Sequence, residues 1–467
     1  MFYKMKFVKR FIFYIIPFIT LFFIIFIYLN DDEKVSSLYY DNTEALKIKI
    51  NEKIKNISND VIPILVFCAK RPAALKNHLN LLLKYRKERW NEFPIVISID
   101  GFDEEVSRVV DEFIKIYPGI SKWHHTLTKN ISPKYKNYRR ISEHYKYSLN
   151  RIFNNFTFKS LIITEDDLDI SNDFFDYFKK MQNLLNEDES LMCISAWNDN
   201  GLENLIDKNK TLSFKRTDFF PGLGWMLTKN FWFEIKDNFP DIFWDDYLRL
   251  ENVRKNRSCI YPEVPRTFHN MQLAGKGSSG GMYSDKLSKI KLNEREVDYD
   301  NFNIDILKKE EYNRNLLEKI YHAKNISIED LIKLKNIKSK EVVIRYSSPR
   351  DFRRVANKFN LMTDLRGGGV PRTAYYGIVS FFYKGKQIYL VPQNFTLNSF
   401  NENPKDILYH SEWEKKNLFL DFEETFCNKA KYKLPKPCDP SNEKFRKAFI
   451  EKFRKTRLEM YNGMIVN

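Results

Sequence analysis

Residues 160–169, Ser-Leu-Ile-Ile-Thr-Glu-Asp-Asp-Leu-Asp, limit the possible folds of this chain more than any other stretch. Leu161, Ile162 and Ile163 make a short branched apolar run of the kind that forms a buried strand. The run breaks at once into Glu165, Asp166 and Asp167. In an open α/β sheet, ligands bind outside the carboxyl ends of the strands. Acids at such an end can hold a hard divalent cation, and the cation can hold phosphates. They can equally start a helix, because negative side chains suit helix N-termini. Taken alone, the stretch leaves both readings open.

The flanking sequence puts that strand in a sheet. Residues 61–67, 93–100 and 192–197 read as further apolar strands. Helical spacing covers 73–86, 106–117, 139–153 and 173–185, with Leu75, Leu79 and Leu82 on one face of the first. Strands alternating with helices of about 10 to 15 residues predict a largely parallel α/β sheet. After Trp197 the pattern changes. Residues 218–225 are rich in aromatic rings and glycine, and 243–247 set Asp245 and Asp246 beside aromatic neighbours. Residues 275–281 form a Gly/Ser loop that includes Ser279. The stretch 298–336 reads as charged and helical, and 341–346, 377–382 and 387–391 as short strands.

A net charge of +16 raises the question of nucleic acid. The Lys and Arg residues are interleaved with acids and no recognition module is visible, so no nucleic-acid partner is expected. With 39 Phe and 26 Tyr the chain has ample core material and is not a disordered polymer. Its five cysteines include no Cys-x-x-Cys pair, which argues against a zinc site.

At the N-terminus, Lys4, Lys6, Lys9 and Arg10 precede an uncharged run from Phe11 to Leu29, and Asp31, Asp32 and Glu33 follow. That length suits a membrane-spanning helix. The charge order predicts a cytoplasmic tail at 1–10, a signal anchor at 11–29 and a lumenal remainder. Bulky Tyr28 and Leu29 stand where a cleavable signal would carry small residues. Residues 30–60 read as a polar stem, 61–300 as a catalytic domain, 301–398 as its C-terminal part, and 399–467 as a charged extension without an assigned role.

These features meet the needs of a nucleotide-sugar transferase: a base and ribose pocket, a cation on the diphosphate, a wall for the sugar and a general base. Asp167 can take Mn²⁺ or Mg²⁺, and Asp245 can take the proton of an acceptor hydroxyl. The neighbouring Trp244 restricts water, so the Asp245 pKa is expected to be raised. The Gly/Ser loop can fold over phosphates. Each feature also has a plainer reading. Asp245 and Asp246 can cap a helix, the loop can be a linker, His144 can be structural, and Arg71 can pair with a surface acid.

Five segments together resemble one family: 62–66 (Ile-Pro-Ile-Leu-Val), 164–168 (Thr-Glu-Asp-Asp-Leu), 195–201 (Ser-Ala-Trp-Asn-Asp-Asn-Gly), 216–225 (Arg-Thr-Asp-Phe-Phe-Pro-Gly-Leu-Gly-Trp) and 243–247 (Phe-Trp-Asp-Asp-Tyr). That family is the N-acetylglucosaminyltransferase I family, glycosyltransferase family 13, whose wider membership includes an O-mannose β-1,2-N-acetylglucosaminyltransferase. The resemblance runs from about residue 62 to about residue 398. It implies a GT-A fold and a single-pass type II protein of the Golgi membrane. It also implies Mn²⁺ dependence and inverting transfer of GlcNAc from UDP-GlcNAc to the α-1,3-linked mannose of a Man5 N-glycan. Carried over by position, it implies Mn²⁺ at Asp167, ribose at Asp166, GlcNAc at Glu165, uracil at Asp100 and His144, and the diphosphate at Arg71. It further implies phosphates at Ser279, a sugar pocket at Trp244 and Leu223, and Asp245 as general base. One family disulfide maps onto Cys193 and Cys259; the other maps onto Ala69 and Gly101, which leaves Cys68 free. Cys427 and Cys438 are candidates to pair with each other. An O-mannose acceptor, or an inactive lectin-like binding protein, remains as an alternative at this point.

Overall fold

The computed structural model describes residues 61–126, 136–274, 284–333, 337–363, 366, 369–396, 398–400, 422–439 and 442–453. The expected anchor and stem lie outside these residues. Among the described residues no helix is long and apolar enough to cross a membrane.

Three expected strands form as β1 (Ile64–Cys68), β2 (Ile95–Asp100) and β4 (Ser160–Glu165). An unexpected β3 (Ile120–His125) joins them, and the four pair in parallel in the order β3-β2-β1-β4. The connections carry helices α1 (Pro72–Arg86), α2 (Glu104–Ile116) and α3 (Lys136–Asn155). Every residue of β1 and β2 is buried, the pattern of a sheet covered on both faces. β3 escaped the sequence reading because it lies at the sheet edge. Only Ile120, Trp123 and His125 of its six residues are buried, and Lys122 pairs with Asp111.

Past β4 the sheet ceases to be parallel. The chain continues through β5 (Leu168–Ile170), α4 (Phe174–Glu187), β6 (Leu191–Ser195), β7 (Phe214–Thr217), β8 (Trp225–Thr228), β9 (Ser258–Pro262) and β10 (Thr267–His269). The full order is β3-β2-β1-β4-β8-β6-β9-β7. β8 lies between β4 and β6 and runs against both. The expected largely parallel sheet is therefore corrected to a mixed one. The cause is the chain reversal ahead of β8. That strand starts where β4 and β6 end, so Ile163 and Ser195 both face Trp225. The reversal thereby carries the aromatic, glycine-rich segment to the acidic end of β4.

β6 and β9 run parallel with Cys193 aligned on Cys259, and the two form the disulfide that the resemblance implied. Cys427 and Cys438 are also bonded, and Cys68 is free and buried.

A second small sheet pairs β10 with β5 antiparallel, placing His269 opposite Leu168. It is fixed by Asp173, which begins α4 but does not cap it. Instead, this buried carboxylate accepts from Arg266 Nε (2.9 Å), Tyr299 Oη (2.7 Å), Asn293 Nδ2 (3.0 Å) and Ser171 Oγ (2.6 Å). Burial pushes its pKa up, but Arg266 and the three neutral donors outweigh that and hold it below the usual carboxylate range.

The C-terminal region builds a separate sheet in the order β11-β12-β14-β13, from β11 (Lys324–Asn325), β12 (Glu341–Tyr346), β13 (Val379–Tyr383) and β14 (Lys386–Pro392). The expected helical stretch 298–336 breaks into a 3₁₀ turn at Ile304–Leu307 and helices at Lys309–His322 and Ile328–Lys333. Val342, Ile344, Ile388 and Leu390 form a core with Phe422, Phe426, Phe445 and Phe449. Part of the charged extension is thus buried structure. Its phenylalanines recur at i, i+4, a helical signal that the surrounding charge obscured.

Candidate active site

The site forms where β1, β2 and β4 end. Glu165 closes β4, and the Asp166 N–H donates to Phe67 O (3.0 Å), the last bond of the parallel ladder with β1. Pro72 opens α1 at its first position, which leaves Arg71 as the N-cap residue. The Arg71 guanidinium bridges Asp166 and Asp167 and also donates to Ala274 O (3.1 Å). His269 Nε2 lies 3.3 Å from Asp167 Oδ2.

This acidic group is buried, with Asp166 1% and Asp167 4% exposed. Burial pushes the Asp166 pKa up to about 7 and outweighs the Arg71 contact. Burial acts on Asp167 too, but His269 and Arg71 overcome it and bring the pKa down to about 2. Glu165 is raised by burial and by the neighbouring Asp167, against a hydrogen bond from Tyr145 Oη (2.9 Å). Asp167 is therefore ionised near neutral pH. Asp166 Oδ2 and Asp167 Oδ1 are buried without a hydrogen-bond partner. Among the described residues no three His, Cys, Asp or Glu gather as a metal cage. A cation here would use few protein donors and keep its other positions for diphosphate and water, as is common for Mg²⁺-like ions.

Beside the acids lies a second polar nest. Asp100 accepts from His125 Nδ1 (2.9 Å) and Arg140 Nε (3.0 Å). Burial raises its pKa, but His125, His144 and Arg140 together hold it below the ordinary value. His144 contacts Ser98 Oγ (2.7 Å) and stacks on His125 with ring centres 5.1 Å apart. Burial lowers its pKa to about 3, so the ring is neutral. Gly101 has φ +83°, and a Cβ there would fall 3.2 Å from Arg140 Nη2, so a glycine clears the way for Arg140 to reach Asp100.

The opposite wall is aromatic. Phe243 adopts a left-handed φ of 54°, which turns the chain into the short helix α5 (Trp244–Arg249). Trp244 stacks on Tyr145 (4.1 Å), and Tyr145 stacks on Phe67 (4.0 Å). Tyr145 therefore joins the β1 end, Glu165 and α5. Leu223 stands with positive φ between Gly222 and Gly224, which also have positive φ. Its carbonyl accepts from Thr267 Oγ1 (2.6 Å), and a Cβ on Gly224 would lie 2.6 Å from Thr267 Cγ2.

Asp245 corrects one expectation. Burial raises its pKa as expected, but Arg249 and Arg366 reverse the shift and hold it well below the carboxylate range. Asp245 Oδ2 accepts from Arg249 Nη1 (2.7 Å) and Arg366 Nη2 (3.1 Å). The same two arginines reach Asp246 Oδ1, at 2.9 Å from Arg249 Nη1 and 3.2 Å from Arg366 Nε.

Arg71, Glu165, Asp166 and Asp167 thus form one cluster, with Asp100 and His144 in the adjoining nest. Tyr145 carries the contact to Trp244, and Asp245 lies on the same helix. Leu223 is fixed to β10 through Thr267. Ser279 lies outside the described residues. Sequence reasoning missed His125, Tyr145, His269 and Arg366 as site residues. The His124-His125 pair at a strand end was a usable signal, whereas nothing local marked Arg366.

The GNT-I family model matches residues 27–403. An acidic, arginine-bridged cluster at the strand ends of the sheet, together with that match over most of the chain, defines the class: the chain belongs to the GNT-I family. Among characterised proteins it is 34% identical over 331 residues to the alpha-1,3-mannosyl-glycoprotein 2-beta-N-acetylglucosaminyltransferase of Arabidopsis thaliana, covering 69% of this chain and 71% of the relative. Solved structures give fainter likenesses. The mannosyltransferase PcManGT from Pyrobaculum calidifontis, in complex with GDP-Man and Mn²⁺, is 12% identical with a TM-score of 0.31, over 52% of this chain and 70% of its own. GalNAc-T7 with UDP, GalNAc and Mn²⁺ is 13% identical with a TM-score of 0.32, over 50% and 53%.

Proposed function

We infer that the chain moves GlcNAc from UDP-GlcNAc, with inversion, to the 2-hydroxyl of the α-1,3-linked mannose of a Man5 N-glycan, within a GT-A arrangement. Family membership and the Arabidopsis relative support the reaction. Neither favours the O-mannose acceptor or an inactive binding protein. The observation that carries the mechanism is the buried, ionised Asp167 with one unpartnered oxygen at a strand end. That oxygen fits a divalent cation, for which Mn²⁺ is the proposed occupant. When bound, such an ion neutralises charge growing on a leaving diphosphate.

The chain's own residues supply the rest. Arg71 offers a guanidinium to the diphosphate, Asp166 an oxygen to the ribose and Glu165 an acceptor to the GlcNAc hydroxyls. Asp100 and neutral His144 hold the uracil. Trp244 and Leu223 wall the sugar and exclude water, and Ser279 contacts the phosphates. Asp245 accepts the proton of the attacking mannose hydroxyl. Inversion then needs a single in-line displacement with one base. Arg249 and Arg366 keep that base ionised at every physiological pH, at the cost of basicity. Residues 11–29 anchor the protein in the Golgi membrane with the catalytic part lumenal, a reading supported by the flanking charges. The two disulfides fit an oxidising compartment.

The test is to incubate the full-length chain with UDP-GlcNAc, Mn²⁺ and either Man5 glycan or an O-mannosyl peptide. Product from the glycan alone is expected. Product from the peptide alone overturns the acceptor assignment, and no product from either overturns the enzyme.

A further inference from the structure

A buried polar clamp joins the turn after β6 to the segment that carries Arg366. Asn200 is 3% exposed and follows Asn198 and Asp199, which are buried as well. The Asn200 N–H donates to Asn198 Oδ1 (2.9 Å), and Asn198 Nδ2 donates to Glu263 O (2.9 Å), so the turn is fixed just past β9. Gly201 closes the turn where a Cβ would clash with Pro265. The Asn200 carboxamide then uses both of its ends. Its Oδ1 accepts from the Met362 N–H (2.9 Å), and its Nδ2 donates to Thr373 Oγ1 (3.0 Å). A carboxamide is acceptor and donor at once, so one residue can close two bonds of opposite sense. Met362 and Thr373 are buried, and Arg372 pairs with Asp199 beside them. Arg366 lies in sequence between these two anchored residues. It reaches α5, where Nη2 donates to Asp245 Oδ2 (3.1 Å) and Nε to Asp246 Oδ1 (3.2 Å). Arg249 Nη1 meets the same Asp245 oxygen (2.7 Å). Arg249 and Arg372 both lie over the Phe219 ring, 4.5 Å and 5.1 Å from its centre, so the turn, the anchored segment and α5 share one frame.

We propose that Asn200 is a positioning residue for transfer: its carboxamide clamps Met362 and Thr373 and so sets the place of Arg366, which orients Asp245. This rests on Asp245 being the base and adds what holds its partner in position. Cutting the clamp leaves the Met362 N–H buried without an acceptor, which favours a shift of the segment that restores a partner. Arg366 then leaves Asp245 Oδ2, and Arg249 alone holds the carboxylate.

The full-length chain is assayed with UDP-GlcNAc, Mn²⁺ and Man5 glycan as Asn200→Ala, as Arg366→Ala and as the pair. Thr373→Val is the milder cut, since it breaks one of the two bonds and keeps the side-chain shape. Asn200→Ala is expected to lower kcat by up to about 100-fold, the scale of misplacing a group in the site by about 1 Å, with KM for UDP-GlcNAc unchanged. That loss is expected to vanish in the Arg366→Ala background, because the clamp then has no arginine to place. Thr373→Val should lower kcat less, with the same dependence on Arg366. Losses that simply add in the double variant overturn the proposal, as does a wild-type kcat in both Asn200→Ala and Thr373→Val. Should Asn200→Ala fail to fold, Thr373→Val with and without Arg366→Ala decides by the same criterion. Asp245→Asn separates the two readings. Additive losses beside an inactive Asp245→Asn refute the clamp alone, whereas a wild-type kcat in Asp245→Asn refutes the base and the clamp with it.

Discussion

Asp245 shows how two cations set the character of a proposed base. Arg249 lies one turn along the same helix and Arg366 lies 121 residues away, and both hold the carboxylate ionised. Asp245→Asn keeps the hydrogen-bonding shape but removes the proton acceptor. Transfer is expected to fall by about 10² to 10⁴-fold, the usual share of a general base, with UDP affinity unchanged by calorimetry. Arg366→Ala removes one of the two cations that depress the Asp245 pKa. The pKa then rises, so the acidic limb of the kcat/KM profile moves to higher pH. A limb that stays in place would mean that Asp245 is not the group being titrated.

At the level of elements, Asp173 and Gly224 hold the strands that frame the cleft. Asp173→Ala leaves Arg266 buried without its carboxylate and is expected to cost about 3 to 5 kcal/mol in chemical denaturation. The folded-state pKa of Asp173 is depressed. The stability it contributes is therefore complete above its unfolded pKa of about 3.9, and it is lost as pH falls toward the lower folded value. The variant should show a flatter acid limb of stability than the wild type. Gly224→Ala meets both a φ of +87° and the Thr267 methyl group, and is expected to cost about 1 to 3 kcal/mol from backbone strain plus the clash. Thr267→Ser removes that methyl, so the double variant should recover part of the loss. Simple additivity in a double-mutant cycle would exclude the contact. The Gly-Leu-Gly run was visible in the sequence as a pocket-shaping segment. Its three successive positive φ values belong to the chain reversal that starts β8 against β4, which no local pattern specifies.

Across the whole molecule, the described parts of the C-terminal extension, 422–439 and 442–453, contribute to a core. Phe449 is fully buried between Phe422, Phe426 and Phe445. Phe449→Ala is expected to cost about 3 to 5 kcal/mol, read as a lower unfolding midpoint. An unchanged midpoint would show that the extension is dispensable to the folded chain. Charge composition left this extension without an assigned role because Lys and Glu outnumber the rings. Burial, however, depends on where the rings sit, and they recur one helical turn apart.

The sequence by itself determined the alternation of strands and helices, the acidic end of β4 and the aromatic segments that face it. These follow from hydrophobic periodicity and local residue chemistry, which act over a few residues. The tertiary structure alone decided the reversed β8, the edge strand β3, the pairing of Arg366 with Asp245 and the approach of His269 to Asp167. Each of these is a meeting of distant segments, set by which strand edges and core surfaces pair most favourably. The charge state of every site carboxylate depends on such meetings, because burial and the nearest cation shift its pKa more than its sequence neighbours do.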